Sequence, residues 1–320
     1  MTAEETAKPP STQAPPRCNT GLHGAIWTRI MLLFMRIMPC WACLVAVRPV
    51  SFIIYFLAGP QRRAILGNLT ALRPDFGPVR RWWGGYQVFL EFALTYLDRL
   101  WHMHFRREVA WDIPHKERFD AMCCLPTGVL IFTIHSGNYD IGASLFAQKF
   151  GRPLHIVRAP EQTEELQELR AAELRRVEQE QPLLHVHYNN VTDNHLGLEL
   201  TRLLMAGEAV AVQGDRVITG VSSVAMQHAG LTYHIPRGPL VLAEIARVPC
   251  HPILLERIGC LKYRIHVLPA FYDGSTKQRA DDLGRVWLPI MHDFIQAHWD
   301  QWFVFEPLVF RDSLGQESQP

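Results

Sequence analysis

The chain has 320 residues, 48% of them hydrophobic, which is ample for one large α/β domain with a substantial core and an appendage. Its formal net charge of +1 conceals an asymmetry: residues 1–110 hold 13 Lys/Arg against 6 Asp/Glu, and the remainder 19 against 25. The basic residues of the front part are interleaved with apolar, aromatic sequence, a pattern that argues against a nucleic-acid binder and for a membrane surface, with an Arg-rich helical face as the alternative.

Residues 1–21 hold four prolines with Ser, Thr and Gln and no apolar periodicity, which predicts a disordered tail rather than a secretory signal. Residues 22–110 follow as an apolar, basic helical region. Within it, 25–58 is strongly apolar but broken by Arg29, Arg36, Arg48, Pro39 and Pro49. A spanning helix needs about 20 apolar residues, and the longest charge-free piece, Ile37 to Val47, is shorter. The expected form is an in-plane or partly inserted anchor, with a buried helical hairpin as the alternative. "GPQRRAILGNLTALRPDFG" then reads as a basic helix ended by Arg73-Pro74, and 82–106 as a further helix apolar at Val88, Phe89, Phe92, Ala93 and Leu97.

From residue 111 to about 308 the pattern becomes that of an α/β domain with a mixed, largely parallel sheet flanked by helices. Strands are expected at 128–134, 153–157, 183–187, 209–213, 250–256 and 262–269, a charged helix at 161–180, and another helix at 195–206 ended by Gly207. Residues 309–320 read as a C-terminal tail. Seven cysteines without paired CxxC motifs imply neither a disulfide framework nor a zinc site, and fit reducing cytoplasmic surroundings.

Three of the fifteen histidines have an acid five residues on: His115 with Asp120, His135 with Asp140, and His251 with Glu256. Five residues bring side chains together on neither a helix nor a strand, so such a pair meets only if the backbone bends between them. His135 alone follows a buried-strand run and then a turn signal, Ser136-Gly137-Asn138, a context that folds Asp140 back onto His135. A histidine at a strand tip, oriented by a carboxylate, is the base half of a catalytic triad. No partner nucleophile is evident, since "GVSSV" (220–224) lacks the closing glycine of a nucleophile elbow. The substrate would then supply the hydroxyl; a capped histidine at a helix start is the structural alternative.

"VAVQGDRVITG" (210–220) is a second strand running into a polar turn, with Asp215 and Arg216 expected in the same crevice at the carboxyl edge of the sheet. Arg216 suits a phosphate or a developing oxyanion. Pro236-Arg237-Gly238-Pro239 opens a helix whose first turn offers free N–H groups beside Arg237. Arg158, after the strand "LHIV", is another anion-binding candidate, and Arg170 and Arg175 are weaker ones. His185-Val186-His187 has metal-ligand spacing of a sort, but no clustered acid or cysteine completes it, and no metal is expected.

The order of these pieces, a strand ending in H-x4-D, a strand with a Gly-Asp-Arg turn, and a Pro-x-Gly-helix-Val-Pro-strand unit, resembles the lysophospholipid acyltransferase superfamily. "RRAILGNLTALRPDF", "VRAP", "LTRLLMAGEAVAVQGDRV" and "FIQAHWDQWF" (294–303) make it more similar to the lipid A lauroyl/myristoyl acyltransferase branch. The resemblance spans about residues 25–305. It implies that His135 deprotonates an acceptor hydroxyl, with Asp140 as its orienting acid and no covalent acyl-enzyme. Asn138, Arg158, Asp215, Arg216, Arg237 and Gly238 form the implied substrate-binding set. The implied donor is an acyl carrier protein or CoA thioester, without a further cofactor. The implied acceptor is a lipid A precursor or related lipid, at the cytoplasmic side of the cell inner membrane. An esterase or thioesterase, or an inactive lipid-binding protein of the same fold, are the other classes. Asp140 stands where the lipid A branch usually carries Glu, and Arg216 where it tends to carry Gln or His.

Overall fold

A computed structural model describes residues 25–159, 175, 178–189, 195–217 and 221–311. The proline-rich tail, Arg170 and most of the charged 161–180 segment lie outside the described residues.

The seven-stranded sheet has the order β1-β9-β8-β2-β5-β3-β4. Its strands are β1 (Ala110–Asp112), β2 (Val129–Thr133), β3 (Leu154–Arg158), β4 (Leu184–Tyr188), β5 (Ala209–Gln213), β8 (Cys250–Gly259) and β9 (Lys262–Val267). Only the β8–β9 pair is antiparallel. The central strand explains itself: Val129, Leu130, Ile131 and Phe132 are all buried, as a parallel strand covered on both faces requires. One cover is formed with α5 (Lys116–Cys123) and α6 (Tyr139–Phe150), where Phe119, Phe146 and Phe150 pack on Val129 and Ile131. The opposite core gathers α7 (Leu196–Met205), α8 (Arg237–Ala246) and α9 (Ala280–Ala297) around Phe132, with Trp287 fully buried.

A second, three-stranded sheet was not among the strands expected from the sequence. It consists of β6 (Ser223–His228), β7 (Leu231–Pro236) and β10 (Val309–Arg311), in the order β10-β7-β6. The hairpin turns at Ala229 (φ 52°) and Gly230 (φ 71°). Two positive φ values match a tight hairpin, but alanine at the first position is not the Asn, Asp or Gly that normally signals one. Residues 309–311 are therefore a strand rather than the start of a tail. The Asn68 side chain holds them there, donating to the Glu306 carbonyl and accepting from the Leu308 and Val309 N–H groups.

The front region is four helices: α1 (Ala25–Ile37), α2 (Cys40–Leu57), α3 (Gly59–Leu72) and α4 (Pro78–Phe105). α4 is bound into the α/β domain and does not form a separable unit. Asp98, with no exposure, accepts from Arg257 Nε and from the Tyr263 hydroxyl, both at 2.8 Å. α1 and α2 instead leave an apolar face uncovered, with Ile37, Trp41 and Phe56 each at least 66% exposed.

Candidate active site

β2 ends at Thr133, and Ile134, fully buried, leads the chain to His135 at the carboxyl edge of the sheet. Gly137 then adopts φ 53°, and a Cβ there would lie 2.7 Å from the Leu255 carbonyl oxygen of β8. Glycine is required at that point by both the left-handed conformation and the close approach. The Ser136 hydroxyl donates to the same Leu255 carbonyl, so it is an anchor for the turn and not a nucleophile. Asn138 caps α6 by accepting from Ile141 N, while its amide nitrogen donates to the Thr95 carbonyl of α4. Asn138 is only 3% exposed. Its place in the substrate-binding set is corrected accordingly: it is a buried brace between the turn and α4.

The turn decides which acid meets His135, and it is not Asp140. The left-handed Gly137 and the Asn138 cap start α6 in a direction that carries Asp140 to Arg99 of α4 and Arg158 of β3. Arg158 hydrogen-bonds one carboxylate oxygen, and Arg99 Nε lies 3.2 Å from the other. That second contact is close enough for an ion pair but too poorly aligned for a hydrogen bond. The His135 acid is Asp215, expected from the sequence on the substrate side. Asp215 Oδ1 accepts from His135 Nδ1 at 2.9 Å, and Oδ2 accepts from the His135 N–H at 3.0 Å and from Trp302 Nε1 at 2.9 Å.

Asp215 reaches this position because β2 and β5 are parallel neighbours in register, Thr133 opposite Gln213. Gly214 then continues the pairing, its N–H bonded to the Thr133 carbonyl and its own carbonyl held by Trp287 Nε1. A Cβ on Gly214 would sit 2.9 Å from that indole nitrogen, so this turn too depends on its glycine.

Complete burial by itself would raise the Asp215 carboxyl. The His135 charge, the two His135 hydrogen bonds and the Trp302 donor outweigh burial and hold it below the ordinary carboxylate range. An ionised Asp215 only accepts hydrogen bonds, so the neutral imidazole must carry its proton on Nδ1. Nε2 is then the basic nitrogen. Among the described residues it has no hydrogen-bond partner, and the ring keeps 13% exposure. No serine, threonine or cysteine hydrogen-bonds to it among those residues.

Tyr139 packs edge-on to the His135 ring, with centroids 5.7 Å apart. Burial, then the neighbouring Asp140 charge, push its phenol up, against the pull of Arg158, Arg99 and Arg216. Three guanidiniums therefore act electrostatically on Tyr139. Arg216 also pairs with Glu306 at 2.9 Å.

Two candidates make their contacts elsewhere. Arg237 approaches Asp281 of α9 at 4.0 Å, and a Cβ on Gly238 would meet nothing. No hydrogen bond or ion pair links either residue to the His135–Asp215 pair among the described residues. On β4, His187 Nε2 bonds to His155 Nδ1 across the β3–β4 pair at 2.9 Å, and the His185 ring stacks on His155 at 4.9 Å between centroids.

Sequence reasoning missed Arg99, Tyr139 and Trp302. Arg99 had a signal, an Asp-Arg pair set between Leu97 and Leu100 on the apolar face of a helix. Trp302 had none, because its role depends on Asp215, 87 residues away, and Tyr139 gains its role only because the turn sets it against His135, four residues before it.

No family model matches the chain, and no curated protein matches it.

Proposed function

We propose that the chain is a membrane-associated O-acyltransferase that moves a fatty acyl group from an acyl carrier protein or CoA thioester to a lipid hydroxyl. The observation that carries this reading is the His135–Asp215 pair, whose Nε2 has no hydrogen-bond partner and no enzyme nucleophile bonded to it among the described residues. Nε2 takes the proton of the acceptor hydroxyl as its oxygen attacks the thioester carbonyl. A C–O bond forms, the C–S bond breaks, and the proton passes to the departing thiolate. Asp215 holds the Nδ1 proton and offsets the charge that develops on the ring. Arg158 and Arg216, whose charges act on Tyr139, supply positive charge for a phosphate of donor or acceptor. The resemblance of the H-x4-D and Gly-Asp-Arg segments to the lysophospholipid acyltransferase superfamily supports the same reaction, with the ring's acid reassigned from Asp140 to Asp215.

The uncovered face of α1 and α2 supports docking on a membrane. α2 is long and apolar enough to cross one by length and composition, and 22% of it is buried, unlike a core helix. Arg48 and Pro49 lie mid-helix, where a crossing would cost about 2.5–3.5 kcal/mol for the arginine alone. Lying in the plane of the interface avoids that cost. Trp41→Ser combined with Phe56→Ser is expected to shift the protein from the vesicle pellet to the supernatant in a sedimentation assay. Each substitution removes about 2 kcal/mol of apolar burial. Unchanged sedimentation would reject this face as the docking surface.

The reaction is tested by incubating the protein with membranes and radiolabelled acyl carrier protein or acyl-CoA, then separating the extracted lipids. Label in a lipid is the expected result. Label found only as free fatty acid would replace the reading with a thioesterase, and no turnover of either donor would leave a lipid-binding protein.

A further inference from the structure

Glu256 of β8, His266 of β9 and His298, the residue that ends α9, converge on one point away from the His135–Asp215 pair. They come from three elements, each is half-buried, and their ligand atoms all lie within 4.8 Å of one another. His266 Nε2 is 2.9 Å from Glu256 Oε2, and His298 Nδ1 is 3.7 Å from Glu256 Oε1. We propose that these three residues bind a divalent cation of the zinc class.

Two imidazoles and a carboxylate are the ligand types such a cation prefers. Metal–ligand distances of about 2.0–2.1 Å in a tetrahedral site place neighbouring ligand atoms about 3.3 Å apart. The two Glu256 contacts, one on each carboxylate oxygen, lie within about 0.4 Å of that spacing, and every pair of ligand atoms lies within 4.8 Å. The rings are already positioned: His298 lies against Phe294 at 4.5 Å between centroids, and His266 packs against both Phe294 and His298. Asp300 adds a second carboxylate that acts electrostatically on both Glu256 and His298. Arg264 opposes a cation, with Nη1 3.8 Å from Glu256, but its Nε is held by Asp112 at 2.7 Å.

The location gives the cation a consequence. Residues 298–303 carry Trp302 to Asp215, and the Phe303 N–H bonds to the His135 carbonyl. Within the same segment, Gln301 exchanges hydrogen bonds with the backbone of Arg257, the residue after Glu256. A cation on His298 fixes the start of the segment whose end supports the catalytic candidate.

The test uses the full chain without an affinity tag, in detergent, stripped with EDTA and desalted, then titrated with ZnCl2 by calorimetry. One saturable site is expected, weakened at least tenfold in the His266→Ala/His298→Ala double variant and in Glu256→Gln. Zinc should also raise the Tm of the wild type and not that of the variants. A second histidine group, His228, His292 and Asp293, supplies the control. Its His228→Ala/His292→Ala variant should bind as the wild type does. No saturable uptake, unchanged affinity in the first two variants, or loss confined to the control would overturn the proposal. Should the double variant not fold, the nearly isosteric Glu256→Gln decides by itself, with the visible spectrum of bound Co2+ as a second readout. Uptake is measured without acyl donor, so its outcome is independent of the acyl-transfer reading.

Discussion

Replacing His135 by alanine is expected to lower acyl transfer by about 10²–10⁴-fold, the range for removing a general base. The expectation rests on which bonds the ring makes. Its Nδ1 bonds to Asp215, and the fold-defining contact of the same residue is made by its backbone N–H, which alanine retains. Trp302 Nε1 also continues to donate to Asp215. The carboxylate keeps two of its three donors, so the loss of stability should stay near the 1–3 kcal/mol of one missing buried partner. Turnover measured beside a thermal melt separates the two effects. A folded variant that still transfers at wild-type rate would remove His135 from the chemistry.

Much of this site is legible in the sequence. A run of buried residues stopping at His135 and a Gly-containing turn identify a strand end, because they report local backbone requirements. The same holds for Ala209–Gln213 followed by Gly214-Asp215, and the parallel pairing of the two strands brings both ends to one edge. What local sequence did not carry is the direction in which α6 leaves the turn. That direction depends on Gly137 pressed against the Leu255 backbone and on Asn138 reaching Thr95, contacts that span 118 and 43 residues. The H-x4-D spacing therefore suggested a pair that the fold separates. The β6–β7 hairpin escaped for a related reason: its alternation is present, but the Ala229-Gly230 turn is held by pairing on both flanks rather than by turn residues of high propensity.

The exchange of acids makes the second large prediction, a contrast between two isosteric substitutions. Asp215→Asn should lower transfer on the order of 10⁴-fold with a modest loss of stability. Two carboxylate oxygens accept from three donors here, and an amide offers only one oxygen. Keeping that oxygen toward the His135 N–H and Trp302 turns the NH2 group toward Nδ1. The imidazole must then hold its proton on Nε2 and ceases to be a base, the effect that makes such a change severe in a triad. Acid stability should change as well. The Asp215 carboxyl is held below its ordinary value, so its stabilising contribution is complete above the unfolded carboxylate pKa of about 3.9 and is lost as pH falls through the folded value. In the asparagine variant, that part of the acid limb of the melting curve should flatten.

Asp140→Asn should show the reverse balance. It removes the negative charge that Arg99 and Arg158 share, so the charge-assisted contacts weaken and stability should fall by about 1.5–3 kcal/mol. The His135 tautomer is untouched, so the folded fraction should keep transfer within about tenfold of wild type when assayed well below its lowered Tm. Wild-type stability with abolished transfer in Asp140→Asn, together with an active Asp215→Asn, would return the orienting role to Asp140. It would also mean that the turn at Gly137 rearranges when substrate binds.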